Sequence, residues 1–168
     1  MKKSRIKYLT EASLVASMYL ALSWVSNSVG LAGGAVQLRL SEALCILPFF
    51  MPSSVVGLFI GCILTNITTS AAIWDIVFGS LATLIGAFFA SKIKCKWLVP
   101  LPTVISNAII VPIVILFCYT DTVTLGSYGL IAVGVVAGEV LSAYALGMVL
   151  LLALEKKKGI FDSSRTKH

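Results

Sequence analysis

The sequence predicts an all-α integral membrane protein: one membrane domain over residues 1–168, built of six transmembrane helices, with both termini on the cytoplasmic side. Three observations lead there. Hydrophobic residues fill 58% of the 168 positions and charged residues only 12%, against about 45–50% and about 25% in soluble domains. The mean hydropathy is +1.00, which leaves too few charges to cover a wetted surface. Twelve of the 13 basic residues lie in three clusters beside long apolar runs: Lys2, Lys3, Arg5 and Lys7; Lys92, Lys94 and Lys96; and Lys156, Lys157, Lys158, Arg165 and Lys167. The net charge of +6 is therefore a topology signal under the positive-inside rule rather than the footprint of a nucleic acid. The same composition argues against a soluble enzyme, a disordered tail and any nucleic-acid partner.

A crossing needs about 20 residues to pass a ~30 Å hydrocarbon layer. The first candidate covers residues 8–27. Its basic start is signal-peptide-like, but no small-residue cleavage site follows, so it reads as a retained helix. An outer loop over 28–39, loosened by Gly30, Gly33 and Gly34, comes next. The second candidate, 40–50, stops before Pro52; as an α-helix its eleven residues rise only ~17 Å, so it must be tilted or sheltered by its neighbours. The third covers 53–69 and closes on Thr68, Thr69 and Ser70, which make a tight connection. The fourth covers 74–91, opening on Trp74 and Asp75 and ending before the central lysines. The fifth, 100–119, carries Pro102 and Pro112, which are expected to bend it. After a polar loop at 121–127, the sixth covers 128–154, long enough to require tilt or a cytoplasmic extension. Six crossings put every basic cluster inside and leave only Arg39 outside; dropping the weak second one would put both later clusters on the wrong side.

An ionisable group inside hydrocarbon is costly and marks a functional site by default. Arg39 and Glu42 are three residues apart and share a helical face. Either they form a mutual ion pair or they point into an outward-facing pocket. Asp75 stands at the start of its helix beside Trp74; an acid there suits the helix dipole and a Trp suits the interface, yet together they also suit a flat ligand rich in N–H donors. Glu139 is the hardest to excuse, lying in the run Val133–Leu141 with no cation near it in sequence. It is either a cross-helix structural carboxylate or the lining of a ligand cavity. Asn66 and Asn107 are interhelical glue or ligand contacts, and Tyr144 lies five residues beyond Glu139. In the first span Ala12 and Ala16, with Ser13, Ser17 and Ala21 nearby, form a small-residue pattern that lets another helix approach.

No enzyme emerges from these residues. His168 is the only histidine, no phosphate-binding glycine loop is present, and Cys45, Cys62, Cys95 and Cys118 show no C-x-x-C spacing. No catalytic residue, metal site or cofactor is expected, and a unit of this size with no ATPase of its own needs energy from partners.

Several stretches resemble the QueT family: Gln37-Leu38-Arg39-Leu40-Ser41-Glu42-Ala43-Leu44, Pro48-Phe49-Phe50, Gly57-Leu58-Phe59-Ile60-Gly61-Cys62, and Trp74-Asp75 through Thr83. These are substrate-binding S components of energy-coupling factor (ECF) transporters, associated with queuosine precursors. The resemblance implies an S-component-like bundle of six helices that captures a 7-deazaguanine (preQ1, preQ0 or queuine) from outside. It also implies a complex with a transmembrane T component and two ATPase subunits. An Ala-x-x-x-Ala pattern in the first helix docks such proteins on the T component, and Ala12 and Ala16 match it. Against this chemistry Arg39, Glu42, Asn66, Trp74, Asp75, Asn107, Glu139 and Tyr144 are the candidate ligand contacts. The carboxylates would accept the ligand's N–H donors, an Asn would address its O6 or N3, and Trp74 or Tyr144 would stack on the ring. The loop at Gly30–Gly34 is the candidate lid. An S component for a different vitamin-like ligand, or a stand-alone small membrane transporter, are the alternatives.

Overall fold

A computed structural model describes residues 2–31, 37–119 and 124–156. The tip of the proposed lid (Gly33 and Gly34), the start of the loop after the fifth span, and the basic tail from Lys157 to His168 lie outside the described residues. Helix follows helix: α1 (Lys2–Ser28), a short 3-10 helix (Leu40–Phe49), α2 (Ser53–Thr68), α3 (Ile73–Ala90), a single 3-10 turn (Lys96–Leu98), α4 (Leu101–Tyr119), and α5 (Leu125–Glu139), which runs through a π-helical segment (Val140–Leu146) into α6 (Gly147–Glu155). Three stretches are long and apolar enough to cross a bilayer: Ile73–Ala90, Lys96–Cys118 and Tyr128–Glu155. The short helix and α2 are apolar but shorter than that, and α1, though 27 residues long, is diluted by Glu11 and its serines. The chain is thus an all-α, multi-pass membrane protein.

The short helix is the hub of the fold. It is wound as a 3-10 helix, with a rise of about 2.0 Å per residue against 1.5 Å in an α-helix, so its ten residues reach ~20 Å, further than an α-helical reading allows. Ser41 through Pro48 are buried on every side, and the element packs against α1, α2, α3, the π segment and α6. Its Leu44, Cys45, Ile46 and Leu47 join Val15, Leu58, Cys62, Ala87, Ala90, Val99, Met148 and Leu151 in one apolar core. The sheltering expected of this weak segment is therefore supplied by five other elements.

Small residues set how closely the helices around it approach. A Cβ at Gly57 would stand 2.5 Å from the Ala12 carbonyl oxygen, and one at Gly61 would stand 2.8 Å from the Tyr19 Cβ and 3.0 Å from the Ala16 carbonyl oxygen. The α1–α2 seam is thus a Gly57/Gly61 groove receiving Ala12 and Ala16, each at most 6% exposed. The α3–α4 seam repeats the device, since a Cβ at Gly86 would lie 2.7 Å from the Thr103 Cα. At the basic end of the bundle Lys96 pairs with Glu155 at 3.0 Å, tying the turn before α4 to the end of α6. Ser53 donates to Glu11 at 2.6 Å and fixes the start of α2 on α1.

Candidate functional site

At the opposite end the helices part around a polar cleft of about 80 Å³, lined by Tyr19, Ser23, Ser26, Asn27, Arg39, Thr65, Asn66, Thr69, Ala71 and Asp75. On α1, Tyr19, Ser23 and Ser26 follow at intervals of four and three, so they share one face. On α2, Thr65 and Thr69 bracket Asn66 at the helix end. The connection to α3 then turns back at once. Ser70 takes φ +56°, and Ala71 donates its N–H to the Asn66 carbonyl at 3.0 Å. That turn brings Asp75, in the first turn of α3, beside Asn66, whose Nδ2 donates to the Asp75 backbone carbonyl at 3.2 Å. Asp75 is only 7% exposed, and its Oδ1 has no hydrogen-bond partner among the described residues. Gly79, one turn on, leaves it room: a Cβ there would lie 3.0 Å from Oδ1.

The end of the outer loop, residues 37–39, forms the cleft's edge. Leu38 donates to the Leu31 carbonyl at 3.0 Å, and the Leu40 N–H donates to Ser26 Oγ at 2.9 Å. Gln37 rests on α5 at Gly138, where any Cβ would overlap its carbonyl. Arg39, held between these points, lines the cleft and forms no ion pair within 4.0 Å among the described residues. The mutual Arg39–Glu42 pair considered above is therefore not made. Glu42, fully buried, instead accepts from the Tyr19 hydroxyl at 2.6 Å and from the Cys45 thiol at 3.1 Å.

A second buried carboxylate lies across the hub. Glu139 accepts from Asn107 Nδ2 at 2.8 Å through one oxygen, while its Oε2 has no partner among the described residues. The π segment that starts at the next residue explains how Glu139 shares a face with the core below it. Eight residues of regular α-helix would turn Gly147 about 80° from Glu139, and the wider π turns absorb one residue. Glu139, Gly147, Met148 and Leu151 then all face inward. Glu139 lies within electrostatic reach of Glu42 and Arg39, and Arg39 within reach of Glu42 and Asp75. One cation thus faces three acids.

Two of the aromatic candidates lie elsewhere. Trp74 points away from the cleft, 59% exposed and stacked on Phe78 with ring centroids 6.0 Å apart, because residue 74 precedes Asp75 by about 100° of helix turn. Tyr144 sits within the π segment and packs on the apolar core. Ala12 and Ala16, the expected partner-docking pair, fill the α2 groove within this chain, and the outward face of α1 carries Ser13, Ser17 and Ala21. Sequence reasoning missed Tyr19, Ser23, Ser26, Asn27, Thr65 and Thr69, although the polar stripe at 19, 23 and 26 was a readable signal.

Comparison with known proteins points to a family of membrane transporters. The model of the family described as QueT transporter matches residues 9–156. The chain is also similar to the queuosine precursor transporter QueT of Lactococcus lactis subsp. cremoris (strain MG1363), 29% identical over 85 residues, which is 51% of this chain and 50% of that protein. The chain therefore spans about half the length of that curated relative. No solved structure matches the chain. Because the family model takes in all of the hub and both carboxylate clusters, this membrane protein belongs to the QueT family of transporters, not to a family of enzymes.

Proposed function

We propose that the chain is the membrane-embedded, substrate-binding S component of an ATP-driven ECF importer, and that it captures a queuosine precursor of the 7-deazaguanine type from outside. The observation that carries the reading is the pair of buried carboxylates, Asp75 and Glu139, each with one oxygen left without a hydrogen bond among the described residues. A buried carboxylate oxygen lacking a donor costs about 1–3 kcal/mol or more, and a ligand presenting N1–H and an exocyclic amine would supply donors. The excess of acids over Arg39 suits an aminomethyl cation as well. Asn66 and Arg39 would address the ring's acceptors, and Tyr19 is the aromatic wall in place of Trp74 or Tyr144.

The cleft, at about 80 Å³, is smaller than the about 300–1,000 Å³ of an occupied ligand site. Binding therefore requires the 37–39 segment to withdraw from Gly138 and the two carboxylate clusters to open onto one space. In this reading α1, the short helix and α2 join the three long apolar stretches to make six crossings, with the basic end cytoplasmic. A T component and two ATPase subunits supply the energy, and the partner helix meets α1 on Ser13, Ser17 and Ala21. Ser17→Trp then abolishes uptake by the assembled importer while leaving ligand binding in place.

The test is calorimetric titration of the detergent-purified chain with preQ1, preQ0, queuine and guanine, with riboflavin and thiamine as controls. One-to-one binding of a 7-deazaguanine, with guanine at least tenfold weaker, is expected. Binding of riboflavin or thiamine instead would keep the architecture and overturn the substrate. Uptake in vesicles by this chain alone, without ATPase subunits, would overturn the S-component reading in favour of a stand-alone transporter.

A further inference from the structure

Away from the cleft, the bilayer-facing side of the α3–α4 pair is not smooth. It carries two apolar grooves that meet at Ile110. One, about 540 Å³, runs past Ile85, Phe89, Ile105 and Ile109 and ends at Lys92; the other, about 500 Å³, runs past Ile113 and Phe117 and ends at Trp74. Along α4 the first extends from Leu101 to Ile110, ~13 Å by helical rise, close to the ~15 Å hydrocarbon depth of a single leaflet. Its one hydroxyl, Ser106, already donates to the Pro102 carbonyl at 2.7 Å, so nothing inside asks for a polar occupant. The rim is different. Lys92 stands over the Phe88 ring at 5.5 Å without a carboxylate partner among the described residues, and exposed Lys94 follows two residues on. Lys96, by contrast, is already engaged by Glu155. Trp97, 58% exposed beside it, marks the interfacial level.

We propose that the Lys92 groove is a binding site for an anionic phospholipid, its acyl chain lying along Phe89, Ile105 and Ile109 and its headgroup phosphate held by Lys92 and Lys94. The second groove is the internal control. It is equally apolar, but among the described residues no cation lines it, so it takes a lipid tail without selecting a headgroup. A partner helix is the less suited occupant. Close helix approach in a bilayer wants small residues, and this face presents Ile and Phe while the small-residue faces are on α1 and α2.

Native mass spectrometry of the detergent-solubilised full chain tests this, with phosphatidylglycerol and phosphatidylcholine of matched chains as competing probes. The wild-type chain is expected to retain one phosphatidylglycerol with about a tenfold preference over phosphatidylcholine. K92Q/K94Q should bring that preference close to unity, and K92R/K94R should keep it. Ile105→Trp, which fills the groove from an exposed position, should remove the retained lipid whatever its headgroup. An unchanged preference in K92Q/K94Q, or full lipid retention in Ile105→Trp, overturns the proposal. The ligand titration above is indifferent to all these variants, because none of the residues touches the cleft.

Discussion

The two ends of this bundle are built on opposite rules. At the basic end backbone meets backbone: Gly57, Gly61 and Gly86 admit neighbouring helices at distances no side chain permits, and the core between them is Leu, Ile, Val, Ala and Cys with Met148 and the ring of Tyr19. Towards the other end the helices carry Ser23, Asn66 and Asp75, with Asn107 and Glu139 paired at mid-depth, and several of these buried polar atoms have no partner among the described residues. In a medium without water, packing and hydrogen bonding are the sources of stability. The polar end forgoes part of both. The difference teaches that tight packing and unsatisfied polarity lie at different depths of one set of helices, with the short 3-10 helix joining them: its Cys45 sits in the apolar core and donates to its Glu42, which reaches the polar side.

Substitutions should separate the two ends, the largest loss coming at the packed one. Gly61→Val drives a branched side chain against the Ala16 backbone and Tyr19. Neither contact is a flexible chain end, so about 3 kcal/mol of destabilisation is expected, a fall of about 10 °C in detergent. A melting temperature within 2 °C or so of wild type would mean that the seam opens freely and that the comparison is wrong.

At the polar end the order reverses. Glu139→Gln keeps an acceptor for Asn107 and removes an ionisable group from a buried site, so stability should hold or rise. Under the proposed function, affinity for a 7-deazaguanine should fall by about 2 kcal/mol, some thirtyfold by calorimetry. Asp75→Asn should behave alike. Collapse of the folded yield with normal affinity in the remainder would make these carboxylates structural.

Tyr19→Phe probes the join. It leaves Glu42 Oε1 buried without its donor, at a cost of about 1.5 kcal/mol of stability. Because Tyr19 also lines the cleft, ligand affinity should move in the same variant. A change in only one of the two would place the residue wholly at one end.

How far the sequence was legible follows the same division. Apolar run length and lysine placement located the helices because both reflect partition between water and hydrocarbon, which acts residue by residue. The acids and amides stood out for the same reason, each being costly in an apolar run. What a run cannot display is direction. Trp74 and Asp75 are adjacent, yet one faces the bilayer and the other the cleft, and the adjacency that suggested a shared site is what separates them. The Ala12/Ala16 pattern announced a close helix contact without saying whether the neighbour was α2 or another protein. The cost of an acid in hydrocarbon placed Glu139 inward, but that it shares this face with Met148 and Leu151 shows only once the π segment is seen, because a regular helix would phase it differently. The 3-10 winding of the hub likewise answers to its burial by five neighbours, which no local pattern records.

The smallest expected effect tests a single dihedral angle. Ser70 closes the α2–α3 turn at φ +56°, in the left-handed region that disfavours any residue with a Cβ. Its N–H still reaches the Ile67 carbonyl at 3.2 Å, so the turn is held by backbone bonds that a glycine makes equally well. Ser70→Gly relieves the Cβ contact but widens the unfolded ensemble, and the two terms oppose each other. The net is expected to be a gain of up to about 1 kcal/mol, a rise of about 2–4 °C on heating in detergent. Ligand affinity should be unchanged, since the turn that sets Asp75 beside Asn66 is kept. If affinity falls while stability rises, the strained angle is itself part of the cleft's preorganisation, and the polar end is holding strain as well as unpaired polar atoms.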